Sequence, residues 1–336
     1  MATQIQLRRG TSSEWTAANP TLAEGELGLE TDTYLYKIGD GETDWNDLDY
    51  RELAEALGAA VFESLDSEPA APPPGNLTFY TRPIGGRMLP RFKGPSGLDS
   101  AVQPAFFGNG IFMASPGATT AMNVIGGPAL TVVGTMSHPV PVASSLRQQM
   151  YRAQVLSAAT AGSAAEVRLA LGRIWRGDSA GFGGFFVRFR FSIVSTVAGQ
   201  RTFVGLNNTT AALAVTQDPT LLTQCIGIGN ASTDGNLQLL HNDGAGPAIK
   251  TDLGSDFPSQ GVDDIYDLTL FAGPNASSIS WRLERFVTPA VAEGSVSGAE
   301  IPGAGQFLSP RAYMNNGTTA AAVQFDLARL YIESDY

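Results

Sequence analysis

The segment that most constrains the fold is residues 183–205, GGFFVRFRFSIVSTVAGQRTFVG. Phe185, Val187, Phe189, Phe191 and Ile193 share one parity; Phe186, Arg188, Arg190 and Ser192 take the other. A strand sends successive side chains to opposite faces, so this split describes a strand with one face in a core and one face wet. Val197-Ala198-Gly199-Gln200 reads as a turn, and residues 201–206 as the neighbouring strand of the same sheet.

Similar segments follow to the C-terminus. Strands are expected near 149–156, 167–175, 184–194, 201–206, 225–229, 237–241, 249–253, 265–271, 278–286, 307–314 and 324–333. Gly177-Asp178, Asp234-Gly235, Asn242-Asp243-Gly244, Gly273-Pro274-Asn275 and Asn315-Asn316-Gly317 separate them as turns. Short, regularly punctuated strands over 143–336 indicate an antiparallel jelly-roll sandwich. In the closing strand Val323, Phe325, Leu327, Arg329 and Tyr331 share a parity, yet Leu330 and Ile332 take the other, so both faces are expected to be covered at its end.

Composition agrees with a turn-rich β protein: 38 Gly and 20 Pro in 336 residues, and 16% charged residues against the roughly 25% usual for soluble domains. The net charge of −11 and the lack of a long basic run argue against generic nucleic-acid binding. Cys225 is the sole cysteine, which rules out a disulfide framework within the chain, and it reads as a small buried hydrophobe. No apolar run reaches membrane-spanning length, so no membrane insertion is expected. MATQIQLRRG lacks a signal-peptide core, so synthesis in a host cytoplasm without that export route is expected.

Residues 1–65 read as a small module. Ile5 and Leu7 alternate with polar neighbours, 24–30 and 34–38 are further short strands, and Gly39-Asp40-Gly41 is a tight turn. Residues 50–65 (YRELAEALGAAVFESL) carry Leu53, Leu57, Val61 and Leu65 on one helical face. That face could dock on the chain's own core or pack against two other copies as a brief coiled coil. Residues 66–75 (DSEPAAPPPG) form a proline-rich linker, and 76–142 a small β-rich middle domain. It holds the one basic cluster, Arg82, Arg87, Arg91 and Lys93, which is either a salt-bridging surface or a contact for an acidic glycan or neighbour.

Several of these segments resemble parts of known phage proteins. Leu7-Arg8-Arg9-Gly10-Thr11, Glu14-Trp15, Asn19-Pro20, Leu22, Glu24-Gly25-Glu26-Leu27-Gly28, Lys37-Ile38-Gly39-Asp40-Gly41, Thr43 and Trp45 resemble a module near the start of bacteriophage tail-fibre, phage hyaluronidase and tropism-determinant proteins. That resemblance implies a homotrimer with an intertwined core, attached through this module to other tail or baseplate proteins of a virion. Lys93-Gly94-Pro95-Ser96-Gly97-Leu98-Asp99 with Gln103-Pro104 resembles a linker signature of such fibres. Trp175-Arg176-Gly177-Asp178, Gly183-Gly184-Phe185-Phe186, Phe203-Val204-Gly205-Leu206, Cys225-Ile226-Gly227-Ile228-Gly229 and His241-Asn242-Asp243-Gly244 resemble a domain at the far end of phage tail fibres. The overall pattern looks like concanavalin-like and laminin-G sandwiches.

No catalytic or cofactor-binding site is expected: there is no phosphate loop and no HExxH. Asp263-Asp264 with Asp267, and Asp252 with Asp256, are candidate glycosidase pairs, but they flank turns, and adjacent strand residues face opposite ways. His138 and His241 are too few for a multi-His zinc site. Asn242 and Asp243 are candidate calcium ligands or a simple Asx turn. Trp175 and Trp281 are either core residues or stacking platforms for sugar. The expectation is a tail fibre that binds a bacterial surface glycan or protein through loops 207–223 and 230–235, with Trp175, Asn207, Asn208, Asp234 and Asn236 as contacts. The alternatives are a depolymerase with its site between subunits and a purely structural capsid or collar fibre.

Overall fold

A computed structural model describes residues 7–51, 61–93, 99–101, 110–117, 121–179, 182–261 and 263–334. The chain divides into two compact units, Met1–Glu63 and Ser64–Tyr336.

In the first unit, β1 (Arg8–Gly10) leads into helix α1 (Ser12–Ala18), followed by β2 (Leu27–Glu30), β3 (Tyr36–Ile38) and β4 (Tyr50–Arg51). They form a sheet in the order β1-β2-β3-β4, with β1 and β2 parallel. The sequence reading had no helix here. Its signal is Thr11-Ser12-Ser13-Glu14: the Thr11 hydroxyl accepts from the Glu14 amide, and the Glu14 carboxylate accepts from the Thr11 amide at 2.8 Å. The core is Trp15 stacked on Trp45 at 4.1 Å, with Leu22 beside them. Gly28 of β2 is required there, because a Cβ would lie 2.5 Å from the Trp45 ring.

The helix expected over 50–65 is corrected at both ends. Tyr50 pairs as strand with Lys37, its hydroxyl donates to Glu30 at 2.5 Å, and the Lys37 ammonium lies 4.2 Å from its ring centre. These contacts within the module override the helical spacing. Val61 lies in non-helical chain and is almost fully exposed, and Ser64 bridges Thr81. Leu53 and Leu57 lie outside the described residues.

The second unit contains β5 (Thr78–Ile84), β6 (Arg87–Lys93), β7 (Asp99–Ala101), β8 (Gly110–Pro116), β9 (Met122–Ile125), β10 (Thr131–Val133), β11 (Thr135–Ser137), the short helix α2 (Leu146–Gln149), β12 (Ala153–Leu156), β13 (Ala164–Arg168), β14 (Phe185–Ile193) and β15 (Arg201–Asn207). It continues with β16 (Cys225–Asn230), β17 (Gln238–Asn242), β18 (Ile249–Asp252), β19 (Tyr266–Ala272), β20 (Ser278–Arg285), β21 (Ala290–Ser297), β22 (Ser309–Asn315) and β23 (Gln324–Ser334). Among the described residues one sheet runs β10-β13-β22-β15-β16-β17-β18. The facing sheet runs β11-β12-β23-β14-β19-β20-β21, with β8 on β23 and β9 on β8. Their inner faces share one apolar core, including Phe189, Phe191, Leu268 and Leu270 from one sheet and Val204, Leu206, Ile226 and Leu239 from the other. The protein is therefore mainly β, with an antiparallel C-terminal sandwich. Strands β8 to β11, from the stretch read as a middle domain, belong to these two sheets. Among the described residues no helix is long and apolar enough to cross a membrane.

One detail of β14 differs from the sequence reading. Its neighbours are β19 and β23, whereas β15 pairs with β16 and β22 in the opposite sheet. Residues 194–200 are therefore a corner between sheets, not a hairpin turn. The inward row Phe185, Val187, Phe189, Phe191 and Ile193 is buried as expected, at about 1.5–3 kcal/mol for each side chain. The mixed parity of β23 has one cause. Its register on β14 shifts between Arg190 and Phe191, and this bulge moves the inward row from Phe325 and Leu327 to Leu330 and Ile332. Arg329 is thereby turned outward.

The β5–β6 hairpin lies against the outer face of the β14 sheet. Its turn residue Gly86 has φ +78, and a Cβ there would lie 2.4 Å from the Ser280 hydroxyl. Next to it Arg87 forms a two-pronged ion pair with Glu333 and lies 5.1 Å from the Phe186 ring centre.

Candidate receptor-binding face

Strand pairing assigns the candidate residues to the two ends of the sandwich. Asn207, at the end of β15, pairs with Cys225 and Ser309, and Cys225 pairs with Asn242. Trp175 joins them through the Ile174–Leu308 bridge and a stack on Phe307 at 5.3 Å. Asp234 and Asn236 follow the other end of β16, about 17 Å away along a six-residue strand. The five expected contacts are therefore not one site.

Asp234 and Asn236 have local tasks. The Asp234 carboxylate accepts from the Ala231 amide at 2.8 Å and from Lys250 at 2.7 Å, and Asn236 donates to Asp252 at 3.1 Å. Asn207 is fully buried, with neither side-chain polar atom partnered among the described residues, so it has no surface to offer a receptor. Asn208 beside it is half-buried.

Trp175 and Phe307 are the surface feature of this end. Trp175 is half-buried and Phe307 is 50% exposed, with their rings inclined by 19°. Backbone ties fix the pair: the Leu308 amide donates to the Ile174 carbonyl at 2.6 Å and the Arg173 amide to the Leu308 carbonyl at 3.0 Å. Arg176 turns inward and donates to the Pro302 carbonyl at 2.9 Å and to the Ala276 carbonyl. Gly177, at φ +91, lets the loop fold back; a Cβ would lie 1.7 Å from the Phe182 carbonyl. Phe182 and Leu171 on this loop are each about half exposed. Gln224 joins the 303–307 segment to the Asp243 turn, accepting from the Gly303 amide at 2.7 Å and donating to the Asp243 carbonyl. Trp281, by contrast, is buried in the sandwich core. Phe307 was not singled out from the sequence; its signal is the break before β22 opposite the Trp175 segment.

The oxygens considered for calcium are used by their own turn. Asn242 accepts from the Gly244 amide and donates to the Gly246 carbonyl at 2.9 Å, and Asp243 accepts from the Ala245 amide at 2.8 Å. This is an Asx turn. Among the described residues no group of three His, Cys, Asp or Glu is placed to hold a metal.

Four of the five candidate carboxylates for hydrolysis, Asp252, Asp263, Asp264 and Asp267, are engaged too. Asp263 pairs with Arg147, which holds its carboxyl below the usual range. Asp264 accepts from Arg285 and from the Ile265, Val287 and Thr288 amides. Asp267 accepts from Arg188 and Arg190, and Asp252 caps the Gly254 amide at 2.8 Å.

The outer face of the β15 sheet is covered by the loop over 208–223. Arg168, Arg311, Tyr313 and Asn315 all hydrogen-bond its carbonyls, and Leu213 and Leu222 cover Phe203 and Cys225. The loop expected to vary as a contact surface is thus held down along much of its length.

Comparison with known proteins matches residues 5–43 to the family described as major tropism determinant N-terminal domain. A segment of 47 residues is 40% identical to the hyaluronoglucosaminidase of Streptococcus pyogenes phage H4489A. That segment is 14% of this chain and 13% of the relative, so the chain spans only a small part of the curated protein it matches. Among solved structures, arcelin-5 from Phaseolus vulgaris aligns at TM-score 0.45 and 10% identity over 68% of this chain and 99% of that one. Lectin I from Ulex europaeus, in complex with the methyl glycoside of α-L-fucose, aligns at TM-score 0.44 and 10% identity over 68% and 98%. A protein of Shewanella oneidensis MR-1 aligns at TM-score 0.41 and 12% identity over 67% and 87%.

Proposed function

We propose that this chain is a bacteriophage tail protein that adheres to the bacterial surface through its C-terminal sandwich. The observation that carries the reading is the match of residues 5–43 to a tropism-determinant N-terminal domain, joined in one chain to a sandwich with an exposed aromatic pair. In this reading the N-terminal module attaches the chain to other tail or baseplate proteins and associates three copies. The Trp175–Phe307 pair then meets the receptor, since aromatic faces stack on the apolar faces of sugars and anchor protein contacts equally well. Three weak sites on a repetitive surface gain affinity through effective concentration, without new contacts.

The chain acts by binding and does not cleave its receptor. Supporting this, Asp252, Asp263, Asp264 and Asp267 each hold an arginine or a turn.

The test is sedimentation of the labelled full chain with intact cells from a panel of bacterial strains. Saturable binding to some strains, weakened at least about tenfold by Trp175→Ala with Phe307→Ala, is expected. Equal binding by the double variant, or no binding above an unrelated acidic protein on any strain, overturns it. Release of new reducing ends from the bound polysaccharide would overturn the non-enzymatic reading alone.

A further inference from the structure

The outer face of the β14 sheet carries a concentration of arginine that the overall charge of −11 does not foreshadow. A cleft of about 190 Å³ lies between the β5–β6 hairpin and this face, lined by Arg82, Arg91, Arg188, Arg190, Arg282, Glu68 and Glu284 among others. A smaller hollow of about 50 Å³ adjoins it, formed by Arg188, Arg190, Asp267 and Arg329. Six guanidinium groups thus face three carboxylates.

The smaller hollow is built at a cost. Arg190 and Arg329 are direct cross-strand partners, and like charges placed opposite one another destabilise a sheet. Arg329 stands there only because the β23 bulge reverses the parity of the strand; without it Arg329 would follow Phe325 and Leu327 inward. Bulges that re-aim a side chain gather at functional sites, as do violations of local rules without an evident structural gain. The buried Asp267 carboxylate orients two of the three arginines. Arg190 grips it with Nε and Nη2, both at 2.7 Å, and Arg188 with Nη2 at 2.5 Å. Phe286 backs the Arg190 guanidinium at 5.1 Å. Among the described residues Arg188 Nε and Nη1, Arg190 Nη1 and the whole Arg329 fork have no hydrogen-bond partner. Fixed guanidinium forks match the planar geometry of carboxylate and the tetrahedral oxygens of phosphate.

We infer that Arg188, Arg190 and Arg329 form a site for the carboxylate or phosphate group of an acidic surface saccharide. The saccharide part rests on the adhesion reading; the anion part stands on the geometry. A hollow of this size admits one anionic group with its flanking ring in the larger cleft, not a nucleic-acid backbone running across the face.

The test is calorimetric titration of the full chain with oligogalacturonate, with inorganic phosphate, and with a neutral maltooligosaccharide of equal length. Arg329 is exposed and has no ion-pair partner among the described residues, so Arg329→Ala leaves the fold in place. Oligogalacturonate or phosphate is expected to bind, and whichever does identifies the anionic group. Arg329→Ala should weaken it at least about tenfold, and Arg329→Lys should restore part of the loss. Failure of both anions to bind, equal binding of the neutral oligosaccharide, or unchanged affinity in Arg329→Ala overturns the site. Anion binding by a chain that adheres to no cell would contradict the adhesion reading and leave the anion site intact.

Discussion

Arg311 of β22 donates to Glu166 of β13 at 2.6 Å, with the two side chains 0% and 1% exposed. Arg311 also donates to the Thr209 and Ala211 carbonyls, and Arg168 reaches both Glu166 and the Thr210 carbonyl. The ion pair is therefore the anchor of the 208–223 loop. Burial pushes the Glu166 carboxyl up and draws Arg311 down to about 10, each against the pull of its partner. Removing one partner strands the other in a dry site. Glu166→Ala should cost about 3–5 kcal/mol in urea unfolding and expose the loop to limited proteolysis. A smaller loss in Glu166→Leu with Arg311→Met would confirm that the stranded charge, not the lost attraction, dominates.

Acid sensitivity should centre on Asp264. Desolvation, the largest single influence, pushes its carboxyl up, but hydrogen bonds from the Val287 and Thr288 amides, Arg285 and the Ile265 amide together outweigh it and hold it below the usual range. A carboxyl depressed in the folded state stabilises above its unfolded value, near 4, and that stability is lost as the pH falls through the folded value. Urea midpoints should therefore fall steeply below pH 4. Asp264→Asn should be less stable at pH 7 and flatter below pH 4; an unchanged acid slope contradicts this role.

Cys225 lies under the loop in the cluster of Phe203, Leu213 and Leu222, and burial pushes its thiol up to about 12. The native chain should react with a thiol reagent at neutral pH only at the rate of loop opening, and the urea-unfolded chain at once. Glu166→Ala should accelerate the native reaction, because the same loop covers both.

In the N-terminal module, Gly28→Ala places a methyl against the Trp45 ring and should destabilise the module by about 1–3 kcal/mol. The far-ultraviolet circular dichroism couplet of the stacked Trp15 and Trp45 reports it directly. Retention of the couplet with unchanged melting would contradict the packing described.

Much of the sandwich is legible in the sequence because core strands such as β14 and β19 alternate apolar and polar residues. The strands expected over 184–194 and 201–206 match β14 (Phe185–Ile193) and β15 (Arg201–Asn207) to within a residue at each end. Their separation into opposite sheets is not legible, since a corner and a hairpin use the same Gly-rich punctuation and only strand pairing distinguishes them. Strand β21 leaves no clear pattern because it is an edge strand with both rows largely open to water. The bulge in β23 is visible as a break of parity near Arg329, but only a register against β14 turns that break into a site. Trp175 is identifiable as a surface aromatic once Phe307 is placed beside it. Asn207 reads as a loop polar residue and is instead sealed, because its strand runs one residue further than the sequence pattern indicates.

The adhesion account depends most on three copies acting together, and light scattering on the full chain tests that directly. A mass of about 106 kDa, three times the 35.3 kDa chain, is expected. A stable monomer of 35.3 kDa at micromolar concentration would contradict binding by avidity and leave the sandwich as a single weak site.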